Sequence, residues 1–353
     1  MMKDRPTIDD VARLAGVSKG TVSLAYSDRR PVSRETKQRI FDAAESLHWS
    51  ASPRARALAT ARTGTVGLAM ARKPEVLATE GFFARFIAGC EKVLSAAEVG
   101  LMLNMVDSEA SERAVYERYA TGQVDGTLLL DLQEDDSRPG LMQALQLPAA
   151  ALTTQSPAVF EGSQLHTVHT DDAAAVRRLV GLLAAAGHQR IAHVSGPLDF
   201  THARLRQTAF ADAVAEHGLG EALVEESNFS AAGGRTATAH LLARSDRPTA
   251  IVYANDVMAY AGASYAQGEG LRIPDDLSIT GFDDDDLSAH LSPGMTTVAT
   301  AAYERGEAMA HAVIGAIDGD EPTHTFLDCT EVVERASIAP PPAEAHPVRG
   351  GHR

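Results

Sequence analysis

Two cysteines, one tryptophan and an aromatic share of 5% are the scarcest features of this 353-residue chain. Cys90 and Cys329 stand far apart, with no metal-ligand spacing and no disulfide framework. They are expected as free thiols in a reducing compartment. No apolar run approaches the roughly 20 residues that span a bilayer, and MMKDRPTIDD lacks the apolar core of a secretion signal, so a cytoplasmic protein with no membrane partner is expected. The phosphate loop G-x-x-x-x-G-K, the dinucleotide fingerprint G-x-G-x-x-G and the nucleophile elbow G-x-S-x-G are missing too. That argues against an enzyme and against a bound cofactor. His166 and His169 have H-x-x-H spacing, but on a strand such residues point to opposite faces, so no metal site is expected.

What is present is an uneven distribution of charge. The net charge of -15 would repel nucleic acid, yet residues 1–62 carry +5 and the remainder -20. A basic N-terminal module on an acidic body confines phosphate contact to the small part.

Within that basic part, TIDDVARLAGVSKGTVSLAYS, residues 7–27, reads as two short helices around a turn at Ala15-Gly16-Val17. Thr7 caps the first helix, with Asp10 three residues on, and Ser18 caps the second. Val11 and Leu14 supply an inward stripe, and Gly16 suits a left-handed turn. A third helix opens at Ser33, and Ile40, Ala43, Ala44 and Leu47 close a small core against Val11, Leu14 and Val22. The pattern is that of a helix-turn-helix, although an ordinary helical hairpin would read alike.

SPRARALATARTG follows, with Ser52 and Pro53 as a helix start and Gly64 as its end. Less than two turns with one large apolar side chain make an unstable isolated helix, either a flexible basic linker or a segment that folds on a partner. From Thr65 onward short apolar runs alternate with helices in two series, split near residues 157–162. Repeated βα units imply parallel sheets covered by helices, here as two lobes with a cleft between them. The Pro-, Gly- and His-containing tail from Pro340 to Arg353 is expected to be disordered.

Ligands of open α/β sheets bind outside the carboxyl ends of strands. That rule selects Asn255 after TAIVYA, Asp283 after LSITGF, Arg206 in the segment after RIAHVSG, and Phe229 after LVEESN. Together they offer donors and acceptors for hydroxyls and an aromatic face for a sugar's C–H surface. Asp131, near the end of GTLLLDL, is a further polar candidate. Asp256 reads as a helix-capping residue, and Asp283–Asp286 as a solvated acidic loop with Asp283 alone facing ligand.

Taken together, TIDDVARLAGVSKGTVS, VSRETKQRIFDAAESL, ARALATARTGTVGL, AAGHQRIAHVSGPLD, RPTAIVYANDVMA, LRIPDDLSITGFDD and LSPGMTTV resemble the lactose-repressor/galactose-repressor (LacI/GalR) family from Thr7 to about Ile338. The resemblance implies a multidomain transcriptional repressor: an all-α helix-turn-helix head at 1–50, a hinge helix at 51–63, and a two-lobed α/β core with parallel sheets, similar to periplasmic binding proteins, at 64–339. The chain would cross back between lobes near 288–325, leaving 340–353 as the tail. It implies a homodimer on a palindromic double-stranded DNA operator, with affinity set by a small sugar or sugar derivative in the cleft.

Carried over by position, base reading falls on Lys19, Gly20 and Leu24, while Thr21 and Ser23 hold the helix on the phosphate backbone, in a DNA-contacting set that includes Thr7 and Ser18. Leu24 stands where the family usually has arginine, so a bidentate guanine contact is replaced by apolar contact, for instance to a thymine methyl. In the hinge, Arg54 and Arg56 are basic positions and Leu58 matches the minor-groove wedge, whose insertion costs on the order of a few kcal/mol and is offset by the bend. The family's effector positions coincide with Arg206, Phe229, Asn255 and Asp283. Two further departures are Ala209-Phe210 in place of a Gly-aromatic pair and Thr153 where an aspartate often ends the strand. A sugar-binding transport protein would share the core but not the basic head.

Overall fold

The computed structural model describes residues 6–27, 32–49, 62–72, 76 and 79–343. The head consists of α1 (Ile8–Ala15), α2 (Lys19–Ser27) and α3 (Arg34–Ser46). The Asp10 carboxylate accepts hydrogen bonds from both the backbone N–H of Thr7 (2.9 Å) and its hydroxyl (2.7 Å), fixing the start of α1. Gly16 ends α1 at φ 67°, a left-handed position that costs glycine little. Ser18 accepts from Thr21 N at 3.1 Å and Ser33 from Thr36 N at 3.2 Å, so each later helix is capped by its expected hydroxyl.

Val11, Ala12, Ala15, Val22, Ala25, Ile40, Ala43 and Ala44 form the head's core. Leu14 is not part of it. It is 57% exposed, and the buried stripe of α1 runs instead through Val11, Ala12 and Ala15. The core is closed by small alanines, which let three short helices approach closely.

The first lobe is a six-stranded parallel sheet in the order β11-β5-β4-β3-β1-β2. Its strands are β1 (Thr65–Met70), β2 (Gly100–Met105), β3 (Gly126–Leu129), β4 (Ala149–Thr153), β5 (His166–Thr170) and β11 (His324–Leu327). One face is covered by α4 (Gly81–Ala96) and α12 (Ala302–Asp318), the other by α5 (Glu109–Arg118) and α6 (Arg138–Leu145). The α4–α12 contact is set by two glycines. A Cβ on Gly89 would overlap the carbonyl of Tyr303, and one on Gly306 would overlap that of Phe86. Cys90 is buried in the same seam, its thiol donating to Gly306 O at 3.3 Å, and burial pushes its pKa up to about 12.

The second lobe is a parallel sheet in the order β7-β6-β8-β9: β6 (Ile191–Ser195), β7 (Leu223–Glu226), β8 (Ala250–Tyr253) and β9 (Ser278–Thr280). On one face lie α7 (Ala173–Ala185) and α8 (Thr201–Glu216), on the other α9 (Ala231–Leu242) and α10 (Asp256–Gly268). After the short α11 (Asp286–His290), β10 (Thr297–Ala299) and β12 (Glu331–Val333) pair as an antiparallel ribbon.

The first crossing between lobes lies after Thr170, not near 157–162. Strand β5 pairs with β4 in register Ala150↔His166 to Thr153↔His169, so it belongs to the first sheet. The 3₁₀ turn Pro157–Phe160 that suggested a boundary is a connection within the first lobe, with Phe160 buried in its core. The chain returns through Thr300-Ala301 into α12 and crosses again between β11 and β12. These segments are tied together: Thr330 Oγ1 donates to Asp171 O at 3.1 Å. Among the described residues no helix is long and apolar enough to cross a membrane.

Candidate functional site

On the head, Lys19, Gly20, Thr21 and Ser23 are exposed or half-buried along α2, while Val22 is fully buried and anchors the helix. The Lys19 ammonium lies 2.7 Å from the Asp9 carboxylate, with both side chains about half exposed or more. Such a pair is worth little in water and yields readily to a stronger anion such as phosphate. Thr21 and Ser18 share a hydroxyl hydrogen bond of 2.9 Å. Leu24 is half-buried on the same helix. Arg54, Arg56 and Leu58 lie outside the described residues. The core begins firmly at 62–64, where Asp125 accepts from Thr63 N (2.6 Å) and Gly64 N (2.7 Å). Arg62 reaches Asp318 at 2.7 Å, at the far end of α12.

Between the lobes is a cavity lined by Arg72, Glu80, Phe83, Leu130, Asp131, Thr153, Asp172, His202, Arg206, Phe229, Asp283 and Arg305, among others. Its free volume is about 60 Å³, room for a few waters with the lobes closed as they are here. The lobes close over it through direct bonds: Thr201 N donates to Leu132 O (2.9 Å), Asn255 Nδ2 to Glu80 Oε1 (3.0 Å), and Arg85 to the carbonyls of Asp283 (3.2 Å) and Asp284 (2.8 Å).

Arg206, Phe229, Asp283 and Thr153, taken from distant parts of the chain, meet on this wall. Asn255 stands one layer behind it. It caps α10 by accepting from Met258 N (2.9 Å) and donates to Phe229 O (2.9 Å), holding that residue at φ 62°. Phe229 in turn packs against Gly196, where a Cβ would overlap its ring. The Thr153 hydroxyl accepts from Gln155 N at 3.1 Å, a turn contact.

At the inner end, Asp172 is 1% exposed and takes two guanidinium groups. Arg206 donates Nε (2.9 Å) and Nη2 (2.7 Å) to Oδ2, and Arg305 donates Nη2 to Oδ1 at 3.0 Å. Burial opposes ionisation of Asp172, but the two arginines outweigh it and hold its carboxyl well below the ordinary range. Arg206 also donates to Ala254 O (2.8 Å) and lies over the Phe282 ring at 3.7 Å, so its position is fully determined.

At the outer end, Arg72 Nε bonds Asp131 at 2.6 Å, and its Nη1 lies 3.6 Å from Glu80. Burial raises the Asp131 carboxyl, and Arg72 pulls it below its usual value. Glu80 and Asp283 go the other way, because burial dominates for both. His202 is stacked between Phe200 and Phe229 at 5.6 Å from each, and burial pushes its pKa down to about 3, so it is a neutral aromatic plate.

Arg72 and Asp172 follow β1 and β5, and the strand-end rule reaches both. Asp172 was hidden by assigning β5 to the second series. Glu80, His202 and Arg305 carry no local signal. The acidic run is also less solvated than its composition implies: Asp284 pairs with Arg335 (2.7 Å) and Asp285 caps α11, while Asp286 is exposed. Asp256 is no cap, since its buried carboxylate accepts from Thr297 Oγ1, Asp285 N and Ser288 Oγ at 2.6–2.8 Å and organises that loop. His166 bonds Thr323 and His169 bonds Thr167, on separate sides of β5.

A three-helix head joined to a two-lobed α/β core with an interlobe cavity defines a DNA-binding regulator with a periplasmic-binding-protein-like core. Residues 7–52 match the bacterial regulatory proteins of the lacI family, and residues 180–338 a periplasmic binding protein-like domain. The chain is 31% identical over 339 residues to the HTH-type transcriptional regulator CelR of Thermobifida fusca, covering 94% of this chain and 98% of that one. It is 30% identical to the HTH-type transcriptional repressor PurR of Aliivibrio salmonicida, covering 94% and 98%. Among solved structures it resembles a transcriptional regulator CelR–cellobiose complex, at a TM-score of 0.71 and 29% identity over 94% of this chain and 100% of that one. The fold of the lac repressor dimer bound to operator superposes with a TM-score of 0.80 over 95% and 100% at 23% identity. The chain belongs to the LacI family of transcriptional regulators, and it is not an enzyme.

Proposed function

We propose that this protein is a cytoplasmic repressor that binds a palindromic operator as a homodimer, its affinity controlled by a small sugar-like effector in the interlobe cavity. Lys19, Gly20 and Leu24 read bases, Thr7, Ser18, Thr21 and Ser23 set the helix on the backbone, and Arg54, Arg56 and Leu58 form the minor-groove hinge. Arg206, Phe229, Asp283 and Thr153 face the effector, with Asn255 supporting them. The domain limits are 1–50 for the head, 51–63 for the hinge and 64–339 for the core, with the first lobe crossing moved to 171–172. The cellobiose complex of a relative supports a sugar-like ligand.

The observation that carries this reading is the placement of α12. Its first turn holds Arg305 against Asp172 at the cavity, and its last turn meets Arg62, where the hinge joins the core. One rigid element thus touches both the effector site and the root of the DNA-binding segment. Effector that changes the lobe angle biases α12 and with it the hinge spacing in the dimer, a linkage between the two binding equilibria.

Deletion of residues 1–62 is expected to abolish operator binding and leave effector binding intact. Operator binding that survives the deletion overturns the assignment of the head. A ligand that stabilises the core without altering operator affinity in titration removes the linkage.

A further inference from the structure

The loop that follows β3 is braced by a side chain outside the cavity. Asp131 leaves the strand at φ 54°, a left-handed value that a non-glycine residue adopts when its surroundings hold it there. Arg138, at the start of α6, supplies the hold. Its Nη2 donates to Asp131 O (2.8 Å) and Asp136 Oδ2 (2.7 Å), its Nε to Asp136 Oδ1 (3.0 Å), and its Nη1 to Glu112 Oε1 (3.0 Å). Asp136 also accepts from Gln133 N at 3.0 Å, and Glu112, buried on α5, accepts from Tyr116 OH at 3.0 Å. Most of these bonds are charge-assisted, and all lie within the first lobe, so that lobe alone defines residues 131–138.

The same loop reaches across the cleft by neutral backbone contacts. Leu132 O accepts from Thr201 N at 2.9 Å, and Gln133 and Phe200 form a single antiparallel bridge. Glu134 lies 3.4 Å from Arg204, both well exposed. Thr201 opens α8, which carries His202 and Arg206 into the cavity, while Asp131 and Leu132 line the first lobe's wall. The bonds from Asn255 to Glu80 and from Arg85 to Asp283 and Asp284 join the lobes on the α4 side instead. A strongly braced loop that docks through neutral bonds keeps its shape while the docking itself is made and broken.

We infer that residues 131–138 latch the cleft on its α5–α6 side, and that Arg138 is the positioning residue that keeps the latch formed when the lobes part. Arg138 stands behind the cavity wall. It nonetheless sets both Asp131, which holds Arg72 at 2.6 Å, and the adjoining Leu132, which meets the second lobe. The inference goes beyond the effector reading, because docking of the latch can be followed with no ligand present.

Hydrogen exchange in the full-length protein tests it. Thr201 N–H occupies the first position of α8, where a helix offers no acceptor of its own, so its protection reports docking on Leu132. With Arg138→Met, exchange at Thr201 is expected to rise at least about tenfold, together with that at Gln133, while Val180 in the second lobe's core is unchanged. Faster exchange at Gln133 with unchanged exchange at Thr201 overturns the inference, since a merely local role for Arg138 stops at the first lobe. A Thr201 amide that exchanges unprotected in the wild type overturns it as well. Arg138→Lys keeps the charge but loses the fork that spans Asp131 O, Asp136 and Glu112, and gives the same comparison if the methionine variant does not fold.

Thr201→Pro probes the opposite side of the contact. Phe200 stands at φ -79° and ψ 131°, the extended conformation a residue takes before proline, and proline suits the first helical position. The change removes the docking hydrogen, and Gln133 is expected to stay protected to within about twofold of the wild type. A rise at Gln133 as large as that caused by Arg138→Met shows that docking forms the loop, and overturns the latch.

Discussion

The head and the cleft both rely on charged side chains, but they hold them in opposite settings. On the head, Lys19 and Asp9 pair in solvent, with 63% and 47% of their side chains exposed. In the cleft, Asp172 is 1% exposed and its two arginine partners are 8% exposed or less. Water screens the first pair and already solvates each partner, so either can be exchanged for a phosphate at little cost. The second set has no solvent to fall back on. Each member is retained because removing it strands the others. A surface that must release its ions to bind DNA therefore sits on the same chain as a cavity that must keep its ions in place.

Four substitutions probe that contrast. The largest effect is expected for Asp172→Ala, which leaves Arg206 and Arg305 buried without a counter-charge. A loss of about 3–5 kcal/mol in urea unfolding is expected, part of it recovered when Arg305→Met is added. A loss under about 1 kcal/mol would place the cleft on the same footing as an exposed pair.

Asp256 gives the cleft region a pH dependence of definite sign. Burial raises its carboxyl to about 6 from an ordinary 3.8, so the folded state binds the proton more tightly than the unfolded one. Its contribution is complete below the unfolded value and is lost as pH rises from about 4 to about 6. The urea midpoint of wild type is expected to fall relative to that of Asp256→Asn across that interval. A constant difference would show that the carboxyl does not titrate there.

In the head, Ser33→Ala removes the cap that accepts from Thr36 N and is expected to cost about 1 kcal/mol, read from melting of the α3 helical signal. The smallest effect on stability is expected for Asp9→Ala, within about 0.5 kcal/mol. The same change releases Lys19, so operator affinity is expected to rise and to fall more steeply with salt. A large loss of stability with no gain in affinity would mean that the head's ion pair behaves like the buried set.

Much of the head was legible because its signals are local. A hydroxyl three residues before an amide, a glycine after the last turn and alanines at helical spacing each act within one or two turns. Leu14 was misread because its spacing from Val11 suits a helix face, while the direction of the neighbouring helices decides which face is buried. In the cleft, the strand-end rule located Arg206, Asp283 and Phe229, whose positions follow from any parallel α/β sheet. Asn255 also lies at its strand end, with its amide bonded to Glu80 and Phe229 behind the cavity wall, a placement that the rule does not reach. The boundary near 157–162 was misplaced because both lobes are built from the same βα unit, and only pairing in register assigns β5 to the first sheet.

The amino-acid sequence alone determined the architecture: a capped three-helix head on a chain of βα repeats, with charge partitioned between them. Periodicity, caps and turns depend on neighbours a few residues away, so they can be read along the chain. Only the tertiary structure decided that Asp172 binds Arg206 and Arg305, and that Arg72 lies in a cage of Phe83, Phe200 and Phe229. The worth of a buried charge depends on which distant groups share its low-dielectric space. That is a property of how the lobes close, which no stretch of sequence contains.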